Sequence, residues 1–234
     1  MWNLYWTGVR FPSPPFRKGQ CMIFDIQSVA QQLNIDIKGV IHVGAFDGAE
    51  LAHYRKLNLF NTILFEPQHE MYNVVSHKCI EDEVVYNVAL GSEDMEAEMF
   101  ISDKAGGMAN GATQSSSILQ PKVHLTEHPE ITFPEKEKII VQRFDNFVKS
   151  NNIDISSYNV LNVDVQGYEL EVFKGFGDHL NQIDIVIAEV NRDEVYTGCA
   201  MIGDVDAYLS QYGLRQASVY WQSASWGDAV YVRN

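Results

Sequence analysis

Residues 40–51, VIHVGAFDGAEL, pass from an apolar run into a short glycine-bearing loop and then toward a helical pattern. Gly44 and Gly48 bracket Ala45, Phe46 and Asp47. A pyrophosphate-binding turn needs a closer glycine pair, G-x-G-x-x-G, so that backbone can approach the phosphates. That middle glycine is missing, and an acid inside the loop repels phosphate. The stretch therefore predicts the first strand–loop–helix unit of an open α/β sheet, with a loop suited to a ligand that carries no phosphate.

Reading outward, the same alternation recurs. Ile26, Val29, Ala30 and Leu33 keep helical spacing and predict a helix over 25–34. GVIHVG (39–44) is a buried strand, AELAHYRKLN its helix, and NTILFEP (61–67) a second strand stopped by Pro67. A helix over 68–78 leads to EVVYNVALG (83–91), predicted as a third strand ending at Gly91. YNVLNVDVQG (158–167) and IDIVIAEVN (183–191) are further strands, each followed by a helix. LRQASVYW and DAVYVRN close the chain as an antiparallel pair. Strands alternating with helices predict a mostly parallel sheet covered on both faces.

Residues 92–138 break the pattern. SDKAGGMANGATQSSSILQP is rich in glycine and small polar residues, and TEHPEITFPEKEK adds proline and charge. Long loops of this kind are usually functional, so a lid or insertion is expected here, with short strands at 97–101 and 139–143. VQRFDNFVKSNNI then runs from strand to helix.

Charge and cysteine usage narrow the function classes. The first 20 residues hold Arg10, Arg17 and Lys18 and no acid, leaving 14 basic against 31 acidic residues, a net −17, for the rest. Such a surface repels phosphate backbones and argues against a nucleic-acid partner. No run reaches the roughly 18 apolar residues of a membrane span. Cys21, Cys79 and Cys199 form neither a disulfide framework nor a metal spacing, which fits a cytoplasmic setting. Residues 1–21, with three prolines between 12 and 15 and no signal-peptide pattern, are expected to be a poorly ordered leader. The folded domain is expected to span 22–234.

The acids carry the functional reading. Asp47, Glu66, Asp164 and Glu189 all follow predicted strands, at the sheet edge where open α/β folds collect ligands. Glu66 lies 22 residues after Gly44, where a carboxylate accepts hydrogen bonds from ribose hydroxyls. A ribose-bearing ligand with a cationic centre and no phosphate is S-adenosylmethionine. Asp164 would orient its amine, accept a proton from a substrate hydroxyl, or cap the next helix. Glu189 and Asn191 occupy the equivalent place on the next strand. Trp226 and Asp228 form either a sugar-facing surface or a packed hairpin corner. His42 reads as a core residue. His124 and His128 are four apart in a Pro-interrupted stretch, and no metal site is expected. The serines at 115–117 read as loop hydroxyls that bond cofactor or substrate. A nicotinamide-dependent oxidoreductase and a non-catalytic binding module remain the competing readings.

The ordered motifs IHVGAFDGAE, ILFEP, NVALG, SSSIL, LNVDVQGYELEVFKG, IAEVN and WGDAVYV give the chain, over most of residues 38–232, a resemblance to the FkbM family of S-adenosylmethionine-dependent methyltransferases. DVQGYELEVFKG is the most specific of them. Many members carry a lysine two residues before the aspartate, where this chain has Asn162. The resemblance implies a Rossmann-like class I methyltransferase fold, α/β, seven-stranded, with helices on both faces and an antiparallel last strand. It implies O-methylation of a sugar or other small hydroxyl acceptor. Carried over by position, Val43, Gly44, Ala45, Asp47, Gly48, Glu50, Glu66, Pro67, Asn87, Val88, Ala89 and Asp164 would hold the cofactor, with Glu66 on the ribose and 87–89 near the adenine. Asp164 and Glu189 would be catalytic, with His124 or His128 a remoter choice of base. Ser117, Gln166, Asn191, Trp226 and Asp228 would face the acceptor.

Overall fold

The computed structural model describes residues 26–104 and 114–233. The expected leader, the domain start near Met22 and residues 105–113 of the expected lid lie outside the described residues. The chain runs α1 (Ile26–Leu33), β1 (Val40–Val43), α2 (Leu51–Lys56), β2 (Thr62–Phe65), α3 (His69–Lys78), β3 (Glu83–Tyr86), β4 (Ala89–Leu90) and β5 (Met95–Lys104). After the break come α4 (His124–Glu127), β6 (Ile131–Gln142), α5 (Phe144–Asn151), β7 (Val160–Val163), α6 (Glu169–Phe176), β8 (Ile185–Asn191), α7 (Ile202–Ser210), β9 (Leu214–Trp221) and β10 (Trp226–Arg233).

Seven strands form one sheet in the order β3-β2-β1-β7-β8-β10-β9. β1 pairs in parallel with both β2 and β7, β7 with β8, and β2 with β3. β10 runs antiparallel to both β8 and β9. The seven-stranded, mostly parallel class with an antiparallel last strand is therefore as expected. Each residue of VIHV, TILF, VLNV and IVIAEVN is buried, as central parallel strands require.

The pleat divides these residues between two cores. On one face Ile41, Val43, Phe65, Leu161 and Val186 pack against Phe144 and Phe147 of α5, Phe173 and Phe176 of α6 and Leu209 of α7. On the other, Val40, Leu64, Val160 and Ile187 meet Ile26 and Val29 of α1, Leu51 and Tyr54 of α2 and Val75 of α3. Each large side chain so buried contributes about 1.5–3 kcal/mol. His42 is 2% exposed and held in this second core, 3.3 Å from the Tyr54 hydroxyl, which also accepts from Asn162 Nδ2 at 3.1 Å. The position of the family lysine is thus filled by a buried, satisfied amide.

Two expectations need correction. The run 83–91 is not one strand: β3 ends at Tyr86, and β4 at Ala89–Leu90 joins a separate three-stranded sheet, β4-β6-β5. Asn87 breaks it, its Nδ2 donating to the carbonyls of Glu66 (3.0 Å) and Pro67 (2.8 Å) and so tying off the edge. The strands expected at 97–101 and 139–143 are the inner parts of a long hairpin, Met95–Lys104 against Ile131–Gln142. Its distal half escapes hydrophobic patterning because it is largely solvent-facing and interrupted by Pro134.

Candidate active site

Strand order reverses between β1 and β7, and a cleft of about 720 Å³, counting the space at its open mouth, lies at the carboxyl ends of these strands. Its floor is Val43, Gly44, Ala45 and Phe46. Glu66, Pro67 and Gln68 form one side, Asp164, Val165 and Gln166 the other, and Val88, Leu90, Met99 and Ile118 an apolar wall. The floor exists because Gly44, at φ +85°, lets two chain segments meet: a Cβ there would sit 1.8 Å from the Asp164 carbonyl oxygen. Phe46 follows with φ 45°, a conformation a bulky residue holds only under constraint.

That constraint is Glu66. Its Oε2 accepts from Phe46 N at 2.7 Å and its Oε1 from Gln68 N at 2.8 Å, so one buried carboxylate fixes both the opening loop and the start of α3. Burial pushes its pKa up to about 8, against the pull of the two amide bonds, and nearby Glu137 adds to the rise. A buried carboxylate with two amides already bound retains acceptor sites for two hydroxyl donors. Beside it stands an apolar wall suited to a flat ring. Those donors and that surface are what a ribose and its base present, and the acidic surroundings suit a positive charge. The residues therefore fit S-adenosylmethionine.

At the far side, Gln166 Nε2 donates to Asp164 Oδ1 (2.7 Å) and Glu189 Oε2 (2.9 Å), joining the ends of β7 and β8. Gln166 itself sits at φ 57° and its carbonyl accepts from Ser117 Oγ at 2.7 Å. Tyr196 Oη lies 2.9 Å from both Gln166 Oε1 and the Ser115 carbonyl, so its single proton serves one of them at a time. Asp164 does not cap α6. Glu169 fastens that turn instead, accepting from Val165 N (3.1 Å) and Gly167 N (3.0 Å).

The acids raise one another. Desolvation, eased by Gln166 and reinforced by Glu50, lifts Asp164 to about 6. Its carboxylate is open to water in the cleft, so this rise acts in full only when a ligand displaces that water. Burial, then repulsion from Asp164, Glu169 and Asp228, holds Glu189 well above the carboxylate range. Burial and Asp164 push Asp228 up to about 7, and burial pushes Glu169 to about 7.

The structure brings together Val43, Gly44, Ala45, Glu50, Glu66, Pro67, Val88, Ala89, Asp164 and Gln166 around the cleft. It places others elsewhere. Asp47 turns outward to Lys78 Nζ at 3.1 Å, because the left-handed Phe46 reverses the chain before it. Gly48 packs over Val75, and Asn87 clips backbone behind the Glu66 wall. Ser117 is fully buried, pinning Gln166. Glu189 stands behind Gln166; Asp228 pairs with it across β10, and Asn191 pairs with Trp226. His124 is buried against Phe133 and Tyr196, and desolvation with neighbouring His128 lowers it to about 4. Among the described residues no group of acids, histidines or cysteines is arranged to hold a metal ion. No helix among them is long and apolar enough to cross a membrane.

Sequence reasoning missed Phe46, Gln68, Met99, Glu169 and Tyr196. An aromatic between two loop glycines was a usable signal for Phe46; the others depend on contacts that only the fold creates.

Residues 42–215 match the methyltransferase FkbM domain. Over 111 residues the chain is 29% identical to the 2-O-methyltransferase NoeI of Sinorhizobium fredii, a match covering 43% of this chain and 45% of that protein's length. Magnesium protoporphyrin IX methyltransferase from Synechocystis PCC 6803, solved with bound SAM, is 11% identical with a TM-score of 0.43, covering 88% of this chain and 74% of that one. A SAM-dependent methyltransferase from Aquifex aeolicus is 12% identical with a TM-score of 0.41, covering 90% of each chain. The fold class rests on the strand order described above and not on these two likenesses.

Proposed function

The chain belongs to the FkbM methyltransferase family, and from that premise we propose that it transfers a methyl group to a hydroxyl oxygen of a small-molecule or glycan acceptor. Methyl transfer with S-adenosylmethionine follows from the family; oxygen as the recipient and the class of acceptor are our reading. The cofactor supplies a methyl group already activated on a sulfonium.

This chain's residues then have three tasks. Glu66 accepts from the ribose hydroxyls, and Val88, Leu90 and Met99 exclude water around the base. Gly44 and Ala45 would offer backbone contact to the methionine portion. Asp164, which lines the cleft, would take the proton of the acceptor hydroxyl. Alignment is the larger part of the catalysis, and a positioned base adds roughly 100- to 10,000-fold.

The observation that carries the reading is the Asp164–Gln166–Glu189 bridge. One amide stands between two carboxylates at the ends of adjacent strands, beside the cleft. A base lifted to about 6 is matched to abstracting a proton near neutrality. Its test is methyl release from labelled cofactor with a panel of glycans and small alcohols, with the product bond located by mass spectrometry. Methyl on oxygen supports the reading. Methyl found on nitrogen or carbon refutes it.

A further inference from the structure

Asp164, Glu189 and Asp228 lie at the ends of three neighbouring strands, with Asp228 directly across from Glu189. Their hydrogen-bond partners are side-chain amides: Gln166 for the first two, and Gln222 Nε2 at 2.6 Å from Asp228 Oδ2. Among the described residues, no lysine, arginine or histidine forms an ion pair with any of the three. No cation among the described residues compensates the row.

A second observation is independent of charge. Asn191 lies two residues beyond Glu189 and therefore on the same face of β8, cross-strand from Trp226. It is 1% exposed, and both its Nδ2 and Oδ1 lack a hydrogen-bond partner. A buried amide with neither donor nor acceptor satisfied is rare in a finished structure. It projects from the same face of β8 as Glu189, with Trp226 as its cross-strand neighbour.

Resting on the oxygen-methylation reading above, we propose that the acceptor is an amino sugar or similar hydroxylated amine, bound with its ammonium against Glu189 and Asp228 and a neighbouring hydroxyl on the Asn191 amide. The carboxylates are spread along a row rather than gathered around one point, and none of the described groups is arranged for a metal. That spacing fits an extended organic cation better than a compact ion. The amine supplies the positive charge that the row lacks. The hydroxyl, donor and acceptor together, completes Asn191.

The test uses protein loaded with S-adenosylhomocysteine and two probes that differ in one substituent, D-glucosamine and D-glucose, with binding read by saturation-transfer NMR at neutral pH. Glucosamine is expected to bind roughly tenfold or more tightly, the scale of a charge-assisted contact. The gap should shrink as salt is raised. It should vanish in Glu189→Gln/Asp228→Asn, whose affinity for S-adenosylhomocysteine serves as the folding control. The wild-type comparison decides alone if that variant fails to fold. Equal binding, or no binding of either sugar, overturns the proposal. A glucosamine preference with methyl found on nitrogen leaves this proposal standing and removes oxygen transfer. No preference with methyl on a sugar oxygen does the reverse.

Discussion

Replacing Glu66 by glutamine isolates the contact on which cofactor binding is proposed to turn. The folded protein holds the Glu66 proton up to about pH 8, against 4.5 for an unperturbed glutamate. A protonated carboxyl loses acceptor capacity, and both its oxygens are already committed to Phe46 N and Gln68 N. Two ribose hydroxyls can then be accepted fully only by the ionised form. Affinity for S-adenosylhomocysteine should therefore rise by up to about tenfold per pH unit from pH 6 to 8 and level off above, a span of roughly 100-fold. Above pH 8, Glu66→Gln should bind about 10- to 100-fold more weakly, the equivalent of about 1.5–3 kcal/mol for a hydrogen bond to a charged group. Its pH profile should lack the Glu66 step, and the difference between the two curves removes titration of the ligand itself. Isothermal titration calorimetry across pH 6–9 measures both. Superimposable curves for wild type and variant would refute the assignment.

The same group has a signature without ligand. A folded pKa above the unfolded one means that the native state binds the proton more tightly. Its contribution to stability is then full below about pH 4.5 and is lost as pH rises toward 8. Denaturant melts of Glu66→Gln should lack that component. Gly44→Ala would drive a Cβ into the Asp164 carbonyl at φ +85°, and both a lowered melting temperature and loss of cofactor-induced stabilisation are expected in thermal shift. Asp164→Asn should lose roughly 100- to 10,000-fold in kcat at saturating cofactor while keeping cofactor affinity; unchanged turnover removes it from the role of base. Gln166→Leu takes the amide from both Asp164 and Glu189, so the acidic limb of the pH–rate profile should move to higher pH.

The sheet was legible because its strands are apolar on both faces. Runs such as IVIAEV leave little choice but a central position, and the two closing runs lie close enough in sequence to pair antiparallel. The break at Asn87 was not, because NVAL continues the apolar run and nothing local signals that Ala89 pairs with Val141 of another sheet. For the site, Glu66 was readable from its spacing after Gly44. The direction of Asp47 was not, since it depends on one left-handed residue, Phe46, whose conformation is imposed by Glu66 twenty positions later. The Gln166 hub was half visible. Its place beside Asp164 is sequential, while Tyr196 and Glu189 reach it only once β7 and β8 lie side by side.

The cleft's apolar wall belongs to a different sheet from its floor. Val88 precedes and Leu90 ends the short β4, and Met99 stands on the long hairpin that pairs with it, whereas Gly44 and Glu66 directly follow strands of the main sheet. A nucleoside lying between them would act as a rivet joining two plates. Occupancy should stiffen the whole hairpin, out to residues that never meet the ligand, so that slowed amide exchange along β5 and β6 reports a filled cleft from a distance.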